Sequence, residues 1–327
     1  MSSQKKRGRE GTTQGDAKTL EVPGGEVLAD AYYFPLERTK EAATYLRSHG
    51  AAVIRGAITA EEVAASLSAV TCWLSRWTDK GEWPNKTALV SVEGAGQSEG
   101  AWRARGADGV QQLFADVWGV PRDDLVTSMD AVILWREQTQ GLDLHRDRPE
   151  EVTVDVAGRP LPVVQSLCVL TASTVKTGGF VCCPGEDFAT SNALPWRHVR
   201  AQPGDLICWD AGCRHGSVEA ARTDTGPLGR ASHRRCREAQ GPPVPVSPVR
   251  VAVPVCMVPR HSMEAGVVDE RKQLFRTGRS ACHDSWTKAN FARHPGTKPL
   301  GYVLPHTQPW WSKSMARVRG FKIMCNM

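Results

Sequence analysis

The stretch GLDLHRDRPE, Gly141 to Glu150, sets His145 two residues ahead of Asp147. On an extended backbone, residues i and i+2 project to the same side. An imidazole and a carboxylate so placed could share one cation. The same pair also suits an ordinary polar turn between strands. With nine histidines in 327 residues, the spacing needs support from elsewhere in the chain. That support lies in PGDLICWDAGCRHGS, where an apolar run ends near Trp209, turn residues follow, and His215 stands at the exit. Two imidazole nitrogens and one carboxylate oxygen suit a divalent transition metal such as Fe(II), and three protein ligands leave coordination positions open for chemistry.

Such donors need a rigid scaffold. From about Asp124 to Arg260 the chain carries short β-rich runs: LVTSMDAVILW, EVTVDVAG, VVQSLCVLTAS, GGFVCCPG, HVRAQ, DLICWD and RVAVPVCMV. Turn residues, including KTGG and QPGD, separate them. The segment before them is helical in pattern. TKEAATYLRSHG, from Thr39, predicts a short helix stopped by Gly50. Thr59 and Glu62 form a capping box, and Val63, Leu67, Val70 and Leu74 then share one helical face. DGVQQLFADVWG, from Asp108, predicts a further helix.

Helices followed by many short strands predict a mainly β fold with flanking helices, a sandwich or jelly roll with the helices packed outside. The expected organisation is a flexible basic tail over 1–19 and a single domain over 20–327. Within that domain we expect a helical part over about 39–120, a jelly-roll core over about 124–260 and a C-terminal extension over 261–327. RTDTGPLGRASHRRCREAQGPPVPVS is rich in Arg, Pro and Gly, and predicts a surface insertion over 222–247.

Five segments, in order, resemble the phytanoyl-CoA dioxygenase family of Fe(II)/2-oxoglutarate oxygenases, over roughly Val53 to Gly296. They are LDLHRDRP, VVQSLCVLTASTVKTGGFVCCPG, PGDLICWDAGCRHGS, VRVAVPVCMVPR and RKQLFRTGRSACHDSW. The Pro-Gly run continues as EDF where the family usually has serine and histidine. The resemblance implies a double-stranded β-helix, the jelly-roll or cupin-like core. It implies Fe(II) held by His145, Asp147 and His215, with 2-oxoglutarate and O2 as cosubstrates. It also implies hydroxylation of a substrate C–H bond with release of succinate and CO2.

The far carboxylate of 2-oxoglutarate calls for a fixed, always-charged, two-pronged partner, which is arginine. Arg222, Arg230 and Arg250 follow His215. Arg222 and Arg230 fall in or beside the Gly/Pro-rich insertion. Arg250 opens an apolar run that reads as a core strand, and we expect it to be the anchor, on a strand beside the one leading to His215. Ser217 could add a hydroxyl to that carboxylate, and Gln165 could face the cosubstrate. His283, in ACHDSW, is a rival ligand, but the family places no ligand there and it is expected to serve structure.

Composition narrows the remaining classes. Hydrophobic residues make up 41%, enough for a sizeable core, and no run of eighteen apolar residues suggests a membrane span. The N-terminal MSSQKKRGREGTTQGDAKT has no apolar h-region. Ten cysteines without such a leader predict reduced thiols and an intracellular protein, cytoplasmic or nuclear rather than secreted. The ending KIMCNM is not a peroxisomal address. A net charge of +6 is mild. The basic tail and GRASHRRCR leave an oxygenase acting on nucleic acid or protein as an alternative to a small-molecule hydroxylase. A third alternative is a non-catalytic jelly-roll binding protein.

Overall fold

In the computed structural model, the described residues are 26–84, 87–136, 139–147, 163–219, 248–281, 283 and 304–319. The expected tail over 1–19, the insertion over 222–247 and the run EVTVDVAG lie outside them.

The N-terminal part builds β1 (Tyr33–Pro35), α1 (Thr39–His49), β2 (Ala51–Arg55), α2 (Ala60–Thr78), β3 (Leu89–Val90), α3 (Glu99–Gly106) and α4 (Asp108–Trp118). Gly50 ends α1 in the left-handed region, at φ 79°, and its N–H closes on the Leu46 carbonyl. The chain can then reverse at once into β2. The capping box forms at Thr59 and Glu62, each side chain meeting the other's backbone N–H.

The β-rich part builds β4 (Leu125–Thr127), β5 (Val132–Trp135), β6 (Leu142–His145), β7 (Val164–Val169), β8 (Gly179–Cys182), β9 (Arg197–His198), β10 (Leu206–Asp210), β11 (His215–Val218) and β12 (Arg250–Pro259). The helices α5 (Val267–Thr277) and α6 (Lys313–Val318) follow. The run LVTSMDAVILW reads as one strand but folds as two, β4 and β5. Asp130, between them, turns inward to meet the buried Arg105, and the ladder breaks there.

Two sheets result. The larger has the order β1-β2-β10-β7-β12-β5-β3, with β4 also on β12. The smaller has the order β6-β11-β8-β9. From β5 to β12 the chain passes back and forth between them: β5 large, β6 small, β7 large, β8 and β9 small, β10 large, β11 small, β12 large. That alternation is a double-stranded β-helix, a jelly roll with helices on the larger sheet.

Side-chain alternation sorts the two faces of the larger sheet. Ile54, Val164, Cys168, Leu206, Cys208, Val251, Val253 and Val255 pack in the cluster that holds the apolar faces of α1, α2 and α4. Their strand neighbours Val53, Leu167, Val169, Ile207, Trp209 and Ala252 pack instead with Phe180 and Cys182 of the smaller sheet. Gln165 and Arg250 share the parity of this second set, so both project toward the space between the sheets.

The C-terminal helices close over α3. Trp102, Met129, Phe275 and Met315 form one cluster there.

Arg105 ties α3 to this frame. Its fully buried guanidinium donates to Asp130 Oδ1 at 2.9 Å and to the carbonyls of Gly96, Ala131 and Pro254. Removing the carboxylate alone would strand a buried cation. Asp130→Ala should therefore lower stability by about 3–5 kcal/mol, read from urea denaturation midpoints at an unchanged slope. A loss below about 0.5 kcal/mol would show that the carbonyls suffice to hold Arg105.

Candidate metal centre

Three donors converge where the two sheets face each other. In the smaller sheet, His215 of β11 lies directly opposite His145 of β6. Their rings stand 4.5 Å apart, tilted by 48°. Asp147 follows β6 by two residues, and its N–H bonds the Ala211 carbonyl at 3.2 Å. His145 Nε2 is 3.3 Å from Asp147 Oδ1, and His215 Nε2 is 3.6 Å from Asp147 Oδ2. The three ligand atoms lie within 4.8 Å of one another. Donors bound at about 2.1 Å on adjacent octahedral corners sit about 3 Å apart, so this spacing suits one cation.

Both imidazoles are oriented from behind. His145 Nδ1 lies 2.8 Å from the Asp143 carbonyl, and His215 Nδ1 lies 2.9 Å from the Cys213 carbonyl. A carbonyl can only accept, so each Nδ1 carries hydrogen and each Nε2 is turned to the site. Burial pushes the Asp147 carboxyl up, but hydrogen bonds from His145 and His215 outweigh it and hold the group far below the ordinary carboxylate range. Hydrogen bonding to Asp147 raises the His145 pKa against the opposing effect of burial. A cation would take over the role these protons play. Trp209 and Phe180 wall the His215 side, with ring centroids 5.2 and 5.9 Å from the imidazole.

Gln165 touches the donor set directly. It is only 6% exposed, and its Nε2 donates to Asp147 Oδ2 at 2.6 Å. Ser217 Oγ accepts from the Leu142 N–H at 3.1 Å, spanning the irregularity between β6 and β11 and leaving its own hydrogen to donate. Arg250 is 3% exposed, and its guanidinium lies 4.7 Å from the Trp135 ring centroid. No carboxylate pairs with it among the described residues, and burial lowers its pKa to about 10. Its strand is not beside β10 as expected. β7 lies between them, because β12 and β10 pair with opposite edges of β7. Arg222 and Arg230 lie outside the described residues.

Two further residues reach the site. Arg146, between the two β6-side donors, donates to the carbonyls of Gly212 and Ser191, both at 2.8 Å, and to Asn192 Oδ1 at 2.6 Å. It ties the end of β6 to the turn that precedes His215. His283, expected to serve structure, has its Nε2 4.0 Å from Asp147 Oδ2. The C-terminal extension thus borders the donor set.

No family model matches the chain, and no curated protein matches its sequence. Solved structures align with it at low identity. SnoN, described as a non-heme alpha ketoglutarate dependent epimerase from nogalamycin biosynthesis, is 17% identical over 69% of this chain and 83% of its own, with a TM-score of 0.48. AviO1 from Streptomyces viridochromogenes Tue57 is 18% identical over 66% of this chain and 92% of its own, with a TM-score of 0.46. ThoJ, a non-heme monooxygenase in complex with nickel, is 14% identical over 67% of this chain and 77% of its own, with a TM-score of 0.45. Likeness at this level fixes neither substrate nor reaction in this chain.

The Gln165 amide holds one carboxylate oxygen of Asp147 and so aims the other. Gln165→Leu keeps the volume and removes the hydrogen bond. It should weaken Co(II) binding by about 10- to 100-fold, measured by calorimetric titration of the metal-free protein, with circular dichroism unchanged. Wild-type affinity in the variant would mean that the two histidines alone orient the carboxylate.

Proposed function

We propose that this chain is an Fe(II)- and 2-oxoglutarate-dependent oxygenase of the phytanoyl-CoA dioxygenase type, hydroxylating a C–H bond of a small molecule. One observation carries the reading: a two-imidazole, one-carboxylate donor set and a buried arginine without a carboxylate partner among the described residues both lie toward the space between the sheets. The donor chemistry fits Fe(II), because nitrogen and oxygen ligands on one face suit that ion and leave the opposite face open. The arginine fits the far end of 2-oxoglutarate. A buried cation without a counter-charge is costly, and a carboxylate would both neutralise it and match its planar fork.

When bound, the metal and its cosubstrate supply the oxidising power that cleaves the C–H bond, with O2 consumed and succinate and CO2 released. The protein residues do the rest. His145, Asp147 and His215 hold the cation, and the Asp143 and Cys213 carbonyls keep both rings turned toward it. Gln165 steadies Asp147. Arg250 anchors the cosubstrate, and Trp209 and Phe180 keep water from the His215 side. Ser217 remains a candidate hydroxyl donor, although its oxygen is already taken by Leu142. Asp147 occupies the position that would have to be vacated for a halide ligand, which favours oxygen transfer over halogenation.

Purified protein with Fe(II), O2 and 2-oxoglutarate should release succinate even without the true substrate, and Asp147→Ala should reduce that release to background. A folded Asp147→Ala variant with undiminished succinate release would exclude this triad. Among small-molecule extracts, the true substrate should gain one oxygen atom in a 2-oxoglutarate-dependent way. A chlorinated product formed in chloride buffer would exclude simple hydroxylation.

A further inference from the structure

His198 is fully buried, and neither ring nitrogen has a hydrogen-bond partner among the described residues. The Gly178 backbone is near, but not in hydrogen-bonding geometry. An imidazole always has one N–H to donate and one lone pair to fill, or two N–H groups when charged. Buried side-chain polar atoms are almost always paired, so an orphaned ring signals a missing partner. Arg250 shares the condition: its Nε is buried without a hydrogen-bond partner among the described residues, and its guanidinium lies 4.7 Å from the Trp135 ring centroid.

The two groups meet at one point. Gly179 has φ 154°, a conformation that side chains rarely adopt. A Cβ there would lie 3.2 Å from Arg250 Nη1, 3.3 Å from His198 Nε2 and 2.5 Å from Ser173 Oγ. Glycine is required, since any side chain would collide with this polar cluster. Arg250 comes from β12 of the larger sheet and His198 from β9 of the smaller, so neither is a strand neighbour of the other. Burial and the Arg250 charge lower the His198 pKa to about 4. At neutral pH the ring is therefore a neutral donor beside a cation, an arrangement suited to an anion that accepts from both.

The position along the strands also fits. Gly179 pairs with Val218, and three residues further along β8 Cys182 pairs with His215. Three strand residues rise roughly 10 Å. A short dicarboxylate with its keto-acid end at the metal could reach that far.

We propose that His198 is a second anchor for the far carboxylate of 2-oxoglutarate, acting with Arg250. It would make the site select a dicarboxylate keto acid over a monocarboxylate one. The proposal rests on the cosubstrate reading given above.

The test is calorimetric binding of 2-oxoglutarate and of pyruvate to the Co(II)-loaded protein without oxygen, for wild type, His198→Phe and His198→Asn. Phenylalanine keeps a ring but has no donor, while asparagine keeps one. His198→Phe should weaken 2-oxoglutarate binding by about tenfold or more. It should leave Co(II) and pyruvate affinity unchanged, and His198→Asn should recover part of the loss. A merely structural role would lower both keto acids together and spare their ratio, and that result would overturn the proposal. So would wild-type 2-oxoglutarate affinity in His198→Phe. If instead the wild-type Co(II) protein binds pyruvate and 2-oxoglutarate equally, or neither, the cosubstrate reading itself fails and this inference falls with it.

Discussion

Strand register across two facing sheets is the constraint on which the rest of the molecule depends. Successive side chains on a strand point to opposite faces, so a slip of one residue exchanges core and exterior completely. On β7 the correct register sends Gln165 inward and Ser166 outward, where Ser166 Oγ bonds the Val255 carbonyl. On β12 it sends Arg250 inward while Val251 and Val253 meet the helices. In the smaller sheet it sets His145 against His215. The donor set, its amide support and the buried arginine all follow from that one alternation.

The apolar neighbours make this register costly to lose. Leu167, Val169, Ile207 and Ala252 bury against Phe180 and Cys182 between the sheets, and a second apolar layer joins the larger sheet to the helices. A slip would expose both layers at once, at roughly 1.5–3 kcal/mol for each large side chain lost from the core. Polar groups held in such a setting are correspondingly rigid. Asp147 is fixed by its own N–H on Ala211 and by Gln165, and Arg146 ties the strand end between His145 and Asp147 to the turn leading to His215. A metal entering this site would find its ligands oriented before it arrives, which reduces the ordering cost of binding.

Buried arginines appear on both sides of the larger sheet with different surroundings. Arg105, on the helical side, is met by Asp130 and by backbone carbonyls, and it serves cohesion. Arg250, on the inner side, has an indole ring and a histidine unpartnered among the described residues for company. The same residue type at the same depth thus has a carboxylate partner in one place and none among the described residues in the other. Burial does not distinguish the two settings; the partners do.

Much of the candidate site was legible along the chain wherever its signal was local. Gly50 as a helix stop, the Thr59 and Glu62 capping box, and His145 with Asp147 two residues on are short-range patterns, because caps and strand alternation act over a few residues. His215 was readable from the strand and turn before it, and Arg250 from the apolar run it opens. Tertiary structure decided whatever depends on contacts between distant segments. Gln165 meets Asp147 from the facing sheet. The strand of Arg250 is parted from that of His215's approach by β7, since strand order is set by non-local pairing. His283 borders Asp147 from a segment more than a hundred residues away, and His198 meets Arg250 at Gly179 from the other sheet. Side-chain type and spacing predict which residues can do chemistry. Only the packing of one sheet against the other determines which of them meet.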